Sequence, residues 1–166
     1  MNDQELYELC HSHLNYNKDT GIFTWKIHGA GRSLGKRAGS LDNRGYWALR
    51  VNYVYLRANR VAFLMTYGYL PTIVDHINGV TNDDRICNLR AATHRQNVIN
   101  SKLRGGESGY RGVFKSKTRW RARIRIEGSR LNLGSFICKH EAAKAYNEAA
   151  KKYHGEFAVI NTINQK

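Results

Sequence analysis

The sequence contains one proline, three cysteines and no apolar run that approaches transmembrane length. A lone proline excludes a polyproline or proline-rich disordered chain. Cys10, Cys87 and Cys138 stand far apart, form no CxxC pair and leave an odd thiol if two are bridged. That excludes a disulfide framework and a cysteine zinc site, and it predicts reduced thiols in a cytoplasm-like compartment. The first residues, MNDQELYELCHSHLNY, are polar and partly acidic and lack the apolar segment of a secretory signal. The expected protein is soluble and cytoplasmic, with no membrane partner.

Acidic residues are also scarce: 13 Asp and Glu stand against 27 Lys and Arg, a formal charge of +14. Phosphate neutralisation is the commonest use of such a field, so the composition points to nucleic acid as partner. The excess is uneven. Residues 1–100 hold 12 basic and 8 acidic side chains, whereas residues 101–166 hold 15 and 5. With 42% hydrophobic and 11% aromatic residues the chain has enough apolar area to fold.

Hydrophobic patterning predicts a short amphipathic helix over 5–14, with Leu6, Leu9 and Leu14 inward. A turn at Asp19-Thr20-Gly21 and an aromatic strand follow. The glycine-rich stretch 28–45, carrying Arg32, Lys36, Arg37 and Arg44, reads as a mobile basic loop. GYWALRVNYVYLRA reads as a strand pair, and ANRVAFLMTYG as a helix that stops at Gly68 before Pro71. Periodicity disappears in LRGGESG, which places a linker at 103–109 between units 1–102 and 110–166.

The C-terminal part has the clearest pattern. In RWRARIRIE, alternation puts Arg119, Arg121, Arg123 and Arg125 on one face of a strand and Trp120, Ala122, Ile124 and Ile126 on the other. After a turn at Gly128-Ser129, Leu131 and Leu133 continue the apolar face and Arg130 and Asn132 the polar one. GYRGVFK supplies a third strand. In EAAKAYNEAAKKYHG, Ala142, Ala145, Tyr146, Ala149, Ala150 and Tyr153 recur at helical spacing, which lets a helix sit close on the dry face. Like charges on neighbouring strand positions repel, so the cationic face is expected to hold an anion. The major groove of B-DNA admits a β-ribbon, and Arg pairs bidentately with guanine, which predicts readout of double-stranded sites containing G.

Residues 108–161 resemble the APETALA2/ethylene-response-factor DNA-binding domain, through SGYRGVF, RWRARIRI, RLNLGSF and HEAAKAYNEAAKKYHGEFAVIN in that order. The resemblance implies DNA-facing positions for Arg111, Arg123, Arg125, Arg130 and Asn132, with Lys115, Lys117, Arg119 and Arg121 available for phosphate or base contacts. The plant pattern commonly has an acidic residue where Arg123 stands and tryptophan where Asn132 stands, so a different target sequence is expected.

In TIVDHINGVTNDDRICNLRAATHRQNVINSK, Asp75 and His76 are adjacent, Asn88 follows His76 by twelve residues and Asn97 follows Asn88 by nine. A strand ending at His76, a return strand near Leu89 and a helix over 93–101 would bring Asp75 and Asn97 to one locus. His76 can act as a general base, because an imidazole is largely neutral at cellular pH. Asp75 and Asn97 offer hard oxygens that suit Mg²⁺ or Mn²⁺. The plainer reading is a polar turn with Asn88 and Asn97 as caps. His94, one helical turn before Asn97, is an alternative donor.

Residues 15–101 resemble the phage and intron-encoded HNH endonucleases, through YNKDTGIFTWK, GYWALRV, NRVAFLMTYG and VDHINGVTNDDRICNLRAATHRQNVIN. By that resemblance Asp75 and Asn97 hold one divalent ion, His76 is the general base and Asn88 fixes the metal-binding loop. Arg90 and Asn100 match recurrent positions with supporting roles, and the family commonly has histidine where Asn59 stands.

The expected fold is α+β: an N-terminal ββα-metal (HNH, His-Me finger) nuclease unit, then a three-stranded antiparallel sheet packed on one helix. The expected function is a site-directed, homing-type DNA endonuclease in the host cytoplasm of a phage. As a monomer it nicks one strand, and a double-strand break requires a dimer or two binding events. The alternative is a sequence-specific DNA-binding regulator carrying an inactive HNH remnant.

Overall fold

The computed structural model describes residues 1–29, 32–100 and 106–163. Contacts divide the chain into two units, Met1–His94 and Arg95–Lys166. The division falls earlier than the linker expected at 103–109. Within the second unit, the Arg111 guanidinium donates to the Val98 carbonyl at 3.4 Å, which ties residues before that linker to those after it. Residues 103–105 of the expected linker lie outside the described residues, and 106–109 form a turn closed by Gly109 N–H on the Gly106 carbonyl at 2.9 Å.

The first unit begins with helix α1 (Asp3–His13). Its start is fixed by a capping box: Asn2 Oδ1 accepts from Glu5 N at 2.9 Å, and Glu5 Oε2 accepts from Asn2 N at 3.0 Å. Strands β1 (Leu14–Tyr16) and β2 (Phe23–Trp25) pair antiparallel, with Leu14 opposite Trp25 and Tyr16 opposite Phe23. A second small sheet has the order β3 (Ser40–Leu41), β4 (Trp47–Val51), β5 (Val54–Arg57). Helix α2 (Ala58–Tyr67) follows directly and ends at Gly68, whose left-handed φ of 78° lets its N–H cap the Leu64 carbonyl. The core joins Leu14, Phe23, Leu49, Val51, Val61 and Phe63, all buried. Each such side chain removed from water contributes roughly 1.5–3 kcal/mol.

Segment 28–45 is expected to be a mobile loop, but its described residues are pinned. The Arg37 guanidinium lies 3.7 Å above the Trp47 ring and Arg32 lies 5.0 Å from Trp25. Trp25 N–H donates to the Lys36 carbonyl at 3.0 Å, and Ala38 is fully buried. Stacking of guanidinium on indole couples residues too far apart for a local pattern to reveal.

The unit closes with the antiparallel pair β6 (Ile73–His76) and β7 (Leu89–Ala92), in which Asp75 lies opposite Arg90 and His76 opposite Leu89. Asn59 on α2 is buried and donates to the Val74 carbonyl at 3.0 Å, which fastens β6 to the helix.

The second unit contains α3 (His94–Asn100) apart from its first residue, then the sheet of β8 (Val113–Ser116), β9 (Arg119–Ile126) and β10 (Ser129–Phe136) in antiparallel order. Helix α4 (Lys139–His154) covers one face. Ala142, Ala143, Tyr146, Ala149 and Ala150 are its buried residues, so Ala143 joins the expected stripe while Tyr153 remains 43% exposed. Antiparallel Arg123–Asn132 and Ala122–Gly134 pairs flank a bulge between Asn132 and Gly134.

Gly112 shows how close this packing is. Its φ is 71°, and the Tyr146 ring and Arg123 carbonyl occupy the space a Cβ needs. Gly112→Ala is therefore expected to destabilise the second unit by about 3 kcal/mol or more, combining left-handed strain with overpacking. Chemical denaturation of the full chain measures this, and an unchanged midpoint contradicts the packing argument.

Candidate nuclease site and nucleic-acid interface

Strand β6 delivers Asp75 and His76 to its end, and both are about 5% exposed. On this ladder consecutive side chains point to opposite faces, so their surroundings differ. Asp75 Oδ2 accepts from Arg90 Nε at 3.0 Å and lies 3.0 Å from Arg90 Nη2. His76 Nε2 is 3.0 Å from Asp84 Oδ1, with Asp84 itself 3% exposed. With Asp84 ionised its oxygen can only accept, so Nε2 is the donor in this bond. Burial raises the Asp84 carboxyl above the usual carboxylate range, and its hydrogen bond to the imidazole opposes that rise. The Tyr46 ring lies 6.0 Å from the His76 ring, with the Arg57 guanidinium 4.1 Å over its face.

Asn88, at the end of a 3₁₀ turn (Ile86–Asn88), holds the intervening loop closed. Its Oδ1 accepts from Asn78 N at 3.0 Å, while its Nδ2 donates to Asn78 Oδ1 at 3.0 Å and to the Asp83 carbonyl at 2.8 Å. Asn78 in turn donates from Nδ2 to Asp83 Oδ2 at 2.8 Å. Asp83 accepts two bonds of 2.7 Å from Arg85, and this partner lowers its carboxyl pKa to about 2.

Asp75, His76 and Asn88 thus all lie in the first unit, each with its own partner: Arg90, Asp84 and Asn78 respectively. Asn97 stands on α3 in the second. The sequence reading missed Asp84. Its only signal was a second acidic residue in NDDR, at a position that gains meaning once the chain folds back on His76.

In the second unit, register sorts the expected DNA contacts. Arg121, Arg123 and Arg125 lie opposite Ser135, Asn132 and Arg130, and all six belong to the face turned away from the buried Ala122 and Ile124. Arg119 shares that face. Its guanidinium is anchored to Ser135 Oγ and the Ser135 carbonyl at 3.1 and 3.0 Å. Arg123 stacks 4.2 Å over the Phe114 ring. A shallow cavity of about 290 Å³ on this side is lined by Gly112, Phe114, Arg123, Arg125 and Arg130. Lys117 occupies the β8–β9 turn with φ 54°.

Two of the expected contacts fall elsewhere. Lys115 lies opposite Trp120, on the α4 side, and pairs with Glu107 at 3.3 Å. Arg111 is turned toward the Tyr146 hydroxyl and the Val98 carbonyl. Its backbone N–H donates to Asn161 Oδ1 at 2.7 Å. Both positions were assigned by resemblance, and neither lies on β9 or β10, where alternation predicts the facing.

Comparison with known proteins fits this geometry. Protein 3.8 of Escherichia phage T7 is 34% identical over 88 residues, which span 51% of this chain and 72% of the phage protein. The chain belongs to the family of that phage protein. Residues 57–99 of this family member match the HNH endonuclease model, a segment that contains Asp75, His76, Asp84 and Asn88. The AP2-like ethylene-responsive transcription factor AIL7 of Arabidopsis thaliana is 38% identical over 92 residues, 53% of this chain and 17% of the plant protein. APETALA2-like protein 2 of rice is 39% identical over 77 residues, 43% of this chain and 18% of its own length. The chain therefore spans less than a fifth of the plant relatives it matches. No helix among the described residues is long and apolar enough to cross a membrane.

The Asp83–Arg85 pair gives this loop a defined acid limit. A carboxyl held at about 2 contributes stability above the unfolded value and loses it as pH falls through the folded one, so the loop loosens between pH about 4 and about 2. NMR titration of the Asn78 side-chain amide follows the event. Arg85→Ala should move its midpoint upward into the ordinary carboxylate range, and an unmoved midpoint excludes Arg85 as the cause.

Proposed function

We propose that this protein is a site-directed, homing-type DNA endonuclease that hydrolyses a phosphodiester bond with a divalent metal. In this reading Asp75 is a metal ligand and His76 the general base of a ββα-metal centre, Asn97 is the second ligand by family resemblance alone, and the arginine face of β9 and β10 selects the site. The observation that carries the proposal is the buried His76–Asp84 hydrogen bond, one residue along β6 from Asp75, inside the segment that matches the HNH model. A purely structural histidine does not need a buried carboxylate to choose its tautomer.

The donor chemistry fits a hard divalent ion. Among the described residues no group of three or more His, Cys, Asp or Glu forms a metal cage. Mg²⁺ does not require one, because it typically takes one or two carboxylates and fills the rest of its shell with water and substrate phosphate. Asp75 and Asn97 would hold Mg²⁺ or Mn²⁺, which supplies Lewis-acid stabilisation of charge on the phosphate and the departing 3′ oxygen. Arg90 neutralises one Asp75 oxygen and fixes the carboxylate's direction.

His76 takes a proton at Nδ1 from the attacking water while its Nε2–H remains on Asp84, whose negative charge stabilises the imidazolium that forms. The new bond is water oxygen to phosphorus, the bond to the 3′ oxygen breaks, and that oxygen leaves as an alkoxide that takes a proton from solvent. Asn88 does not touch the reacting atoms; it holds the loop that carries Asp84 in register with β6.

One such centre per chain implies a nick by a monomer, with a double-strand break requiring a dimer or two binding events. Similarity to a phage protein supports a role in a host cytoplasm. On the second unit, stacking of Arg123 on Phe114 and clamping of Arg119 by Ser135 reduce the rotamer freedom lost on binding.

His76→Ala is expected to abolish nicking of supercoiled cognate DNA in Mg²⁺ or Mn²⁺ and to leave DNA affinity intact. Wild-type protein that binds the same DNA but never cuts it favours the alternative, a DNA-binding regulator with an inactive HNH remnant. Arg123→Ala should weaken cognate binding by about 1–3 kcal/mol and relax the preference at one base pair, as read by competition binding at fixed salt. An equal loss on random DNA would reassign Arg123 to a phosphate.

A further inference from the structure

The β1–β2 hairpin lies outside the segment that matches the HNH model, yet it reaches the backbone bearing Asp84. Tyr16 Oη donates to the Asp84 carbonyl at 2.7 Å, and Ile86 N–H donates to the Lys18 carbonyl at 3.1 Å. Gly21, at φ 71°, presses on the same stretch, since a Cβ there would come within 2.6 Å of Asp84 C and 2.7 Å of Arg85 N. The clamp itself is stiff. The Tyr16 ring stacks on the fully buried Phe23 at 4.7 Å and 22°, and Asn17 Oδ1 ties down Asp19 N and Thr20 N at 3.0 Å each.

Residues 83–85 have no regular secondary structure, so no ladder of their own fixes the direction of the Asp84 side chain. The far side of the loop is also held by the N-terminal region, through Thr81 Oγ1 on the Gly45 carbonyl at 2.8 Å. We propose that Tyr16 and the Asn17–Gly21 turn are a positioning element for the nuclease centre, setting the backbone of Asp84 and thereby the tautomer and aim of His76. The inference rests on reading His76 as the general base. Tyr16 touches no reacting atom. Losing its hydroxyl leaves the stacked ring in place but strips the Asp84 carbonyl of a donor and lets the carboxylate drift from Nε2.

The test is Tyr16→Phe in the full chain, with two readouts. NMR of the imidazole nitrogens should show His76 as the Nε2–H tautomer in the wild type. In Tyr16→Phe the ring proton should exchange measurably faster. Single-turnover nicking should slow about tenfold, as is typical for partners behind a functional histidine, with DNA affinity unchanged. In an Asp84→Asn background the Tyr16→Phe change should add nothing, because the route it acts through is already cut.

Gly21→Ala, which displaces the same backbone while retaining the hydroxyl, should reproduce the ring-exchange effect. An unaltered His76 ring signal in both variants, or losses that add across the double mutant, overturns the proposal. If the wild type fails to nick while the His76 ring still responds to Tyr16→Phe, the nuclease reading falls and the mechanical link from hairpin to imidazole stands.

Discussion

A hydrogen bond between two buried side chains, His76 Nε2 and Asp84 Oδ1, is the constraint around which the first unit is arranged. Burying a carboxylate and an imidazole costs several kcal/mol unless each finds its partner, so the loop that delivers Asp84 cannot be slack. That accounts for the density of polar bonds around it. Asn88 reaches both ends of the loop, Asn78 closes its middle, and the Asp83–Arg85 pair stiffens the approach.

The two units handle positive charge in the same way. Many of the arginines described above sit on an aromatic ring or a backbone carbonyl rather than extending into solvent. Arg37 lies on Trp47, Arg57 on Tyr46, Arg123 on Phe114, and Arg119 is held by Ser135. A guanidinium stacked on a ring retains its in-plane donors for an anion while its flat face is covered. The field expected from composition is thus made of cations whose directions are largely set by their neighbours within the fold.

Much of this was legible in the sequence, and the exceptions have common causes. Period-two alternation over 119–126 gives the dry and cationic faces of β9, and the alanine spacing gives the helix that covers one of them. The stop of α2 at Gly68 is equally local. The adjacency of Asp75 and His76 at a strand end was readable because it depends on one strand alone. Asp84 was not, since its role arises from a loop folding back across eight residues. The pinning of 28–45 escaped for the same reason: Arg37 and Trp47 meet only after β3 and β4 pair. Lys115 and Arg111 show the limit of resemblance, because side-chain facing on β8 and before it is set by register with Trp120 and by contact with Tyr146.

The bulge in β10 has a consequence for how the arginine surface can change over time. Leu133 is the extra residue, and if it were drawn into a regular ladder instead, the parity of every residue after it would invert. Phe136 would leave Trp120 for the solvent side, and Ser135 would abandon Arg119 for the helix. The strand can therefore exchange side chains at its outward positions far more easily than it can straighten the ladder at Leu133. Its outward face is open to change by substitution, while a one-residue slip turns the end of the sheet inside out.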